Sequence, residues 1–222
     1  AFSSGYFSVK FGVNKESVES QRGYIKEDSA FQALLDYAER HDLRQDEHFQ
    51  YIESQVNLES MIDWCVYEAY CANTDLSVNA RYLRSTEYDG NRWHYALFDL
   101  DCGFSYPASF DYILADGWHG VLLRELKGNA RFQEMFLERM AYQLQNHLTQ
   151  EAVLARYDYL IGQIEDEMPR EIARWHTKRT LNWEGHQKKL LDNLHMDREQ
   201  QLKEAAAEMF RLPLAKVESY FA

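Results

Sequence analysis

Length, composition and charge exclude several classes of protein before any motif is considered. The chain has 222 residues, 45% of them hydrophobic and 14% aromatic, which is enough for a full core in one or two domains and excludes a disordered tail. The formal net charge of −12 argues against a nucleic-acid or anionic-membrane partner, because both need a concentrated basic surface. No apolar run approaches the roughly 20 residues that cross a bilayer.

The first part of the chain divides into an irregular segment and two helices. Residues 1–28 show weak periodicity and are predicted to be a remnant of, or linker from, an N-terminal lobe, with residues 29–222 as the main domain. An apolar stripe predicts a helix over about 29–41, and the polar residues after it predict a loop. A second helix, with Asn57 as its N-cap, is predicted to end near Ala72.

Two acidic segments carry most of the chemical information. The first runs from Asn73 to Asn79 and contains Asp75; the second, residues 99–103, reads Asp-Leu-Asp-Cys-Gly. The stretch between them alternates like two short strands around Asp89-Gly90, a strong signal for a type I′ turn. We therefore predict a β-hairpin that folds the second segment back onto the first.

The predicted turn also sets a register. If Tyr88 faces Asn91, then Ala80 lies beside Asp99, and Asp99 and Asp101 point to one face of an extended backbone. Three carboxylates and two amides would then converge at one place: Asp75, Asp99, Asp101, Asn73 and Asn79. Such oxygen donors suit a hard divalent cation, Mg²⁺ or Mn²⁺.

After residue 116 the sequence reads as one amphipathic helix after another, so the predicted fold class is α+β and mostly α-helical. Thr149 is a predicted cap, Asp197 and Gln200 have capping-box spacing, and Trp175 and Trp183 are expected to pack between the late helices. The predicted helices cover 121–126, 132–148, 152–164, 169–175, 183–194 and 200–210.

The order of these residues along the chain suggests phosphoryl transfer. Such a site needs one carboxylate near the incoming hydroxyl and others that hold Mg²⁺ against the phosphates. Protein kinases have a catalytic Asp, an Asn five residues later, a hairpin and Asp-x-Gly. Here Asp75 and Asn79 are four apart, and residues 101–103 have the Asp-x-Gly form. The alternative is that Asn73 and Asp75 only cap a helix end and stabilise a turn.

With these segments in place, the sequence resembles the spore-coat protein H (CotH) kinase family over roughly residues 11–221. The resemblance implies an atypical protein-kinase-like fold, of which this chain is the C-terminal lobe with a hairpin at the active site and a helical tail. It implies use of ATP and a divalent metal to phosphorylate protein Ser or Thr. The matching segments are Phe11-Gly12-Val13, residues 33–37, 42–43, 51–57, 73–79, 98–104, 122–124, 132–139 and 167–175.

The resemblance also assigns roles and a setting. Asp75 matches the catalytic acid, Asn73 and Asn79 the amides that bind the cofactor, and Asn79 with Asp99 and Asp101 the metal ligands. Strand position favours Asp99 as the main ligand, whereas the Asp-x-Gly form favours Asp101. Family members occur in spore coats and in secreted or cell-surface bacterial proteins, which implies a protein acceptor or a coat or surface partner.

The N-terminal lobe is the point of departure from the kinase pattern. Only about 28 residues precede the first predicted helix, too few for a lobe of strands whose Lys contacts the ATP phosphates, although Lys10, Lys15 and Lys26 are available. We expect this chain to be an incomplete catalytic unit that keeps the metal end of the site and binds ATP weakly.

Two other functions remain open from the sequence. One is a catalytically weak kinase-like module that binds a partner in a spore-coat or cell-surface assembly. The other is a different Asp-x-Asp metal enzyme, such as a glycosyltransferase, which would require an alternating strand-helix pattern that this sequence lacks.

Overall fold

The computed structural model describes residues 6–11, 18–22, 27–176 and 181–222. It is mostly helical with one small antiparallel sheet, which confirms the predicted α+β class. The sequence features placed on Gly12, Val13, Lys15 and Lys26 lie outside the described residues. None of the described helices has the length and apolar character needed to cross a membrane.

Four strands form one sheet in the order β2-β1-β3-β4. Strand β1 pairs antiparallel with β2 on one side and with β3 on the other, and Lys10 is the register partner of Arg81. The N-terminal strands therefore belong to the same sheet as the predicted hairpin. The strands are β1 (Tyr6–Phe11), β2 (Val18–Arg22), β3 (Arg81–Ser85) and β4 (His94–Ala96).

Helix α3 (Leu58–Cys71) packs against α7 (Ala130–Asn146), α11 (Arg198–Phe210) and strand β4. The helices before β3 are α1 (Glu27–Arg40), α2 (Asp46–Gln55), α3 (Leu58–Cys71) and α4 (Leu76–Asn79). Those after the sheet are α5 (Asp111–Leu114), α6 (Val121–Leu126), α7 (Ala130–Asn146), α8 (Gln150–Gly162), α9 (Met168–Trp175), α10 (Trp183–Leu194), α11 (Arg198–Phe210) and α12 (Leu214–Glu218). Short 3-10 turns cover Asp89–Asn91, Trp118–Gly120, Glu165–Glu167 and Ser219–Phe221.

Most of the predicted helix ends are confirmed, and the reason is local capping. Asn57 accepts a hydrogen bond from Ser60 N at 2.9 Å, and Ala72 ends α3 in the left-handed conformation. Thr149 and Asp197 cap α8 and α11 through their side chains, as the sequence predicts. These side chains sit next to the groups they satisfy, so the sequence alone is enough to place them.

Helix α2 corrects the prediction of a polar loop. Residues 46–55 are helical, although only Phe49 and Ile52 face the interior. The helix ends where Val56 forms an isolated bridge with Trp93, and Asn57 N donates to Trp93 O at 2.9 Å. Two apolar positions are too few to give a clear helical period in the sequence. The helix forms nevertheless, because most of the stability of a short helix comes from tertiary packing.

The hairpin is present, but its register differs from the prediction. The turn forms as expected, since Asn91 N donates to Tyr88 O at 3.0 Å and Asp89 and Gly90 both have positive φ. The strands, however, pair Tyr82 with Tyr95, two residues short of the register that the turn alone would give. Strand β4 ends at Ala96, so Asp99 is not beside Ala80.

Contacts of Asp89 outside the turn account for this slip. Its carboxylate accepts from Asn57 Nδ2 at 2.8 Å and from His94 Nε2 at 2.8 Å, and it pairs with Arg92. The bond from Arg92, followed by that from Asn57, lowers the pKa of Asp89 to about 2. The turn is thus tied to the start of α3, and the loop absorbs the extra residues.

An aromatic cluster joins the sheet to α1 and α3. Phe31 stacks on Tyr82 at a centroid distance of 4.6 Å, and Tyr82 meets Tyr95 edge-on at 4.3 Å. Trp64 of α3 lies 5.3 Å from Tyr95, and Trp93 lies 5.0 Å from Phe31. These five rings are buried, and their burial fixes the sheet against α3.

The late helices α8 and α9 differ from the core helices, because no residue in either is fully buried. Trp175 is 55% exposed, so the prediction that it packs between helices is wrong, while Trp183 is half-buried. Large apolar side chains are exposed along this part of the chain, namely Tyr159, Leu160, Ile164, Trp175 and Leu181.

Candidate functional site

The two acidic segments are neighbours at the C-terminal end of α3. Phe104 N donates to Cys71 O at 2.5 Å, and Thr74 Oγ1 donates to Cys102 O at 3.5 Å. The hairpin leads the chain back as predicted, but these contacts, rather than strand pairing, join the segments.

The first segment is built on a buried amide. Asn73 is completely buried, and its Nδ2 donates to Glu68 Oε2 at 3.0 Å while its Oδ1 accepts from Asp75 N at 3.1 Å. The second bond is an Asx turn, as the turn-stabilising alternative predicts for Asn73. Asn73 is thus pointed inward and acts on the backbone of Asp75, so it is not exposed for direct contact with a ligand.

Asp75 itself does not act as a helix cap. It precedes α4, yet its side chain makes no capping bond; its Oδ2 accepts from Asn79 Nδ2 at 3.1 Å. Asp75 is half-buried and therefore reaches the surface. The side chain of Asp75 therefore does not cap α4, and it bonds instead to Asn79, a second residue of the predicted site.

Glu68 is a buried acid that lies behind this loop. Only 1% of its surface is exposed, and burial raises its pKa to about 7, although the hydrogen bond from Asn73 acts in the opposite direction. Glu68 is not among the site residues predicted from the sequence. Its position on α3, three residues after inward-facing Cys65 and four before Ala72, was a signal, because it places a carboxyl in an apolar helix stripe.

The second segment leaves the sheet before its acids. Asp99 adopts the left-handed conformation with φ 58°, and both Asp99 and Asp101 are exposed. Left-handed backbone is tolerated by Asp better than by most residues, because its short polar side chain bonds locally. The predicted extended backbone, which would point both acids to one face, is therefore wrong.

Gly103 allows this segment to approach α3 closely. A Cβ placed on Gly103 would lie 2.9 Å from Leu100 O and 3.3 Å from Cys71 Cβ. Real side chains do not fit at such distances without movement of the backbone. Glycine is therefore required at the third position of the Asp-x-Gly sequence, because a side chain there would collide with Leu100 and Cys71.

The acids of both segments act electrostatically on one thiol. The pKa of exposed Cys102 is raised, chiefly by the charge of Asp101, with further contributions from Asp75 and Asp99. On the sheet side, burial lowers the pKa of Arg81 while the charge of Asp99 raises it. The Arg81 guanidinium lies 4.2 Å from the centroid of the Phe98 ring.

The acids do not form a preassembled metal cage. Within residues 6–11, 18–22, 27–176 and 181–222, no three His, Cys, Asp or Glu side chains lie close enough to hold a metal ion. The predicted convergence of three carboxylates at one point is not found there, because the shifted register and the turn at Asp99 separate them. The donors are nevertheless all oxygen atoms, and Mg²⁺ typically binds one or two carboxylates together with substrate phosphates. The chemistry of the donor set fits such an ion.

The C-terminal helices support the second segment from behind. Arg198 is 2% exposed and donates to Tyr70 O at 2.6 Å, Tyr106 O at 3.0 Å and Asn193 O at 3.2 Å. Asn193 Nδ2 donates to Phe104 O at 2.6 Å. Arg198 therefore ties the chain before Asp75 to the chain after Gly103. No sequence signal marked it, because two of its three partners are backbone atoms more than 90 residues away.

A comparison with protein-family models matches this chain to a known protein family. The model described as CotH kinase protein matches residues 8–200, which include both acidic segments and the helices behind them. The chain belongs to the CotH kinase family. Neither the comparison with curated proteins nor that with solved structures gave a match. Membership indicates a kinase-like function in general, with use of ATP and a divalent metal.

Proposed function

We propose that this chain is the C-lobe part of a CotH-type protein kinase, which transfers a phosphoryl group from ATP to Ser or Thr of a protein. The observation that carries the proposal is the Asp75–Asn79 bond at the surface, beside the Asp99–Gly103 segment, within a chain of this family. Phosphoryl transfer requires one carboxylate near the incoming hydroxyl and others that hold the metal ion, and the two acidic segments can supply these two roles.

Asp75 is the proposed catalytic residue. Its carboxylate is half-buried and oriented by Asn79, which leaves it able to accept the proton of an incoming hydroxyl. Asn73 acts as a positioning residue, because its Oδ1 fixes the backbone N–H of Asp75 and its Nδ2 is anchored to buried Glu68. The proposed cofactor role of Asn73 is therefore indirect.

Asp99, Asp101 and Asn79 are the residues that would hold a divalent cation against the ATP phosphates. The cation supplies charge neutralisation at the phosphates when it is bound. The side chains themselves contribute exposed carboxylate oxygens and one amide, which suit Mg²⁺ or Mn²⁺. The positive charge of Arg81 interacts favourably with Asp99 and so reduces the repulsion between the carboxylates of Asp99 and Asp101.

Asp75→Asn tests the proposal directly. The variant should transfer phosphate from radiolabelled ATP to Ser/Thr peptides at least about 100-fold more slowly, because it loses the proton acceptor. Its urea unfolding should be unchanged. Asp158→Asn, the same change at an exposed position on α8, is the control and should keep full activity. Equal rates for Asp75→Asn and the unmodified chain would exclude Asp75 as the base.

Metal binding provides a readout that does not require turnover. In a Mn²⁺ titration followed by thermal unfolding, saturation at 100 times the Kd should stabilise the native state by about 2.7 kcal/mol. Asp99→Ala and Asp101→Ala should each reduce this shift, and the larger reduction identifies the main ligand. An unchanged shift in both variants would remove these acids from the metal site.

The exposed apolar residues of α8 and α9 favour a second candidate, a catalytically weak module that binds a coat or surface protein. Tyr159 is 56% exposed and Trp175 55%, on helices that bury no residue fully. The same assay separates the two functions. A metal-dependent shift without phosphate transfer would favour the binding module.

A further inference from the structure

A pocket opens beside Asp101, and none of the strand residues that the structure describes lines it. It has a volume of about 500 Å³ and lies between the segment after Asp101 and helix α10. Pockets of this size accommodate small ligands or a few residues of extended peptide. Its lining includes Asp101, Phe104, Ser105, His186, Lys189 and Asn193.

The two walls of this pocket are fixed relative to each other. Buried Asn193 of α10 donates through Nδ2 to Phe104 O, and Arg198 donates both to Asn193 O and to Tyr106 O. A ligand entering here therefore meets a shape that is already formed, so binding does not have to order the walls.

The pocket contains a cationic side chain, that of Lys189. In the part of the chain that the structure describes, Lys189 has no ion pair, although Lys188 next to it pairs with Asp192 at 2.7 Å. His186 lies one helical turn before Lys189 on the same wall and adds a second donor. In a chain with a net charge of −12, an exposed unpaired Lys beside a functional carboxylate is suited to an anionic group of a ligand.

The two acids of the second segment face different neighbours. Asp99 acts on Arg81, which begins strand β3, whereas Asp101 lines the pocket against α10. ATP bound on the sheet side and an acceptor bound on the α10 side would then approach residues 99–103 from opposite directions. Phosphoryl transfer requires that the attacking oxygen of the acceptor and the leaving oxygen of ATP lie on opposite sides of the transferred phosphorus.

We propose that the pocket between residues 101–105 and α10 binds the acceptor segment of a protein substrate, and that Lys189 and His186 select an acidic side chain near the acceptor hydroxyl. This inference rests on the proposed function, because it names the substrate class of the same site. The acidic residue pairs with Lys189 while the neighbouring Ser or Thr reaches towards Asp75 past Asp101.

Peptide binding tests this inference without turnover. Two labelled peptides, identical except for Glu or Gln beside a central Ser, are titrated with the whole chain in the absence of ATP and followed by fluorescence anisotropy. The Glu peptide should bind about three- to fivefold more tightly, the value of one exposed charge pair. Lys189→Glu should abolish this preference or reverse it in favour of the Gln peptide, and His186→Gln should weaken the preference.

Lys188→Glu is the matched control. It makes the same charge change one residue away on α10, at a side chain outside the pocket. Preserved preference in Lys188→Glu with lost preference in Lys189→Glu supports the acceptor pocket. Equal effects of both changes, no effect of Lys189→Glu, or a Lys189→Glu effect on ATP affinity instead of peptide affinity would overturn it.

The transfer assay keeps the two proposals distinguishable. Lys189-dependent binding of the Glu peptide, with no Asp75-dependent phosphate transfer, would favour the binding module over the kinase while supporting the pocket as a site for acidic segments. Asp75-dependent transfer to both peptides without a Lys189-dependent preference would support the kinase function and overturn the pocket.

Discussion

The two acidic segments lie side by side but are held by different means. The first is shaped by residues close to it in sequence, since Glu68, Asn73, Asp75 and Asn79 form a chain of side-chain and backbone hydrogen bonds within twelve residues. The second has no such side-chain network of its own in the part of the chain that the structure describes. Its backbone is held by Cys71 and by the C-terminal helices through Asn193.

This difference suggests separable vulnerabilities. A change at Asn193, which bonds to Phe104 O, should reach the metal-binding acids and leave the Asp75 loop in place. A change at Glu68 should do the reverse. The distinction also suits the proposed chemistry, because the catalytic acid needs a fixed orientation, whereas metal ligands near a substrate phosphate need exposed oxygens.

The largest effect is expected from Arg198→Met. Removal of the guanidinium takes a donor from the carbonyls of Tyr70 and Tyr106, whereas Asn193 O still accepts from Met196 N at 3.3 Å. Because an unpaired buried polar group costs about 1–3 kcal/mol, we expect a loss of about 4 kcal/mol in the free energy of unfolding, measured in urea. The Mn²⁺ response should fall with it.

Arg156→Met is the control for this change. Arg156 is exposed on α8, where its guanidinium lies over the Tyr159 ring, so its replacement should cost less than about 1 kcal/mol. Similar losses for the two variants would contradict the supporting role of Arg198.

Glu68→Gln tests the support of the first segment through pH. The pKa of Glu68 is raised from 4.5 to about 7, so the native state favours the neutral form. This stabilisation is complete below pH 4.5 and is lost as pH rises through 7. Gln stays neutral and still accepts from Asn73. The variant should therefore gain stability relative to the unmodified chain between pH 5 and 8, by about 2–3 kcal/mol.

Exposed Glu59 on the same helix provides the matched control. Glu59→Gln should show no such pH-dependent gain in urea unfolding measured at several pH values. A Glu68→Gln difference that is constant with pH would mean that Glu68 is ionised in the native state throughout this range.

The smallest effect is expected from Gly103→Ala. Its Cβ would lie 2.9 Å from Leu100 O within the segment and 3.3 Å from Cys71 Cβ of α3, so the segment must change its turn and move away from α3, at a cost of about 1–2 kcal/mol. The Mn²⁺ shift should weaken while the Asp75 loop keeps its structure. Gly162→Ala, where no atom lies within 4 Å of the added Cβ, should be neutral. A full Mn²⁺ response in Gly103→Ala would show that the close approach is unnecessary.

The structural features that were predicted correctly from the sequence are those that depend on nearby residues. The helix α3 with its Asn57 cap, the type I′ turn at Asp89-Gly90 and the caps at Thr149 and Asp197 were all predicted, because each depends on groups a few residues apart. The two acidic segments were predicted to be neighbours for the same reason, since a hairpin between them must return the chain.

The tertiary structure decided the features whose partners are remote. The strand register follows from the hydrogen bond between Asp89 and Asn57. Helix α2 forms because Phe49 and Ile52 are buried in the core.

In the same way, the elevated pKa of Glu68 follows from burial, and the position of Asp101 follows from helices at the other end of the chain. The sequence by itself determined which chemical groups meet at the end of α3. Only packing, which no local pattern encodes, decided how far apart they stand and which of them reach the surface.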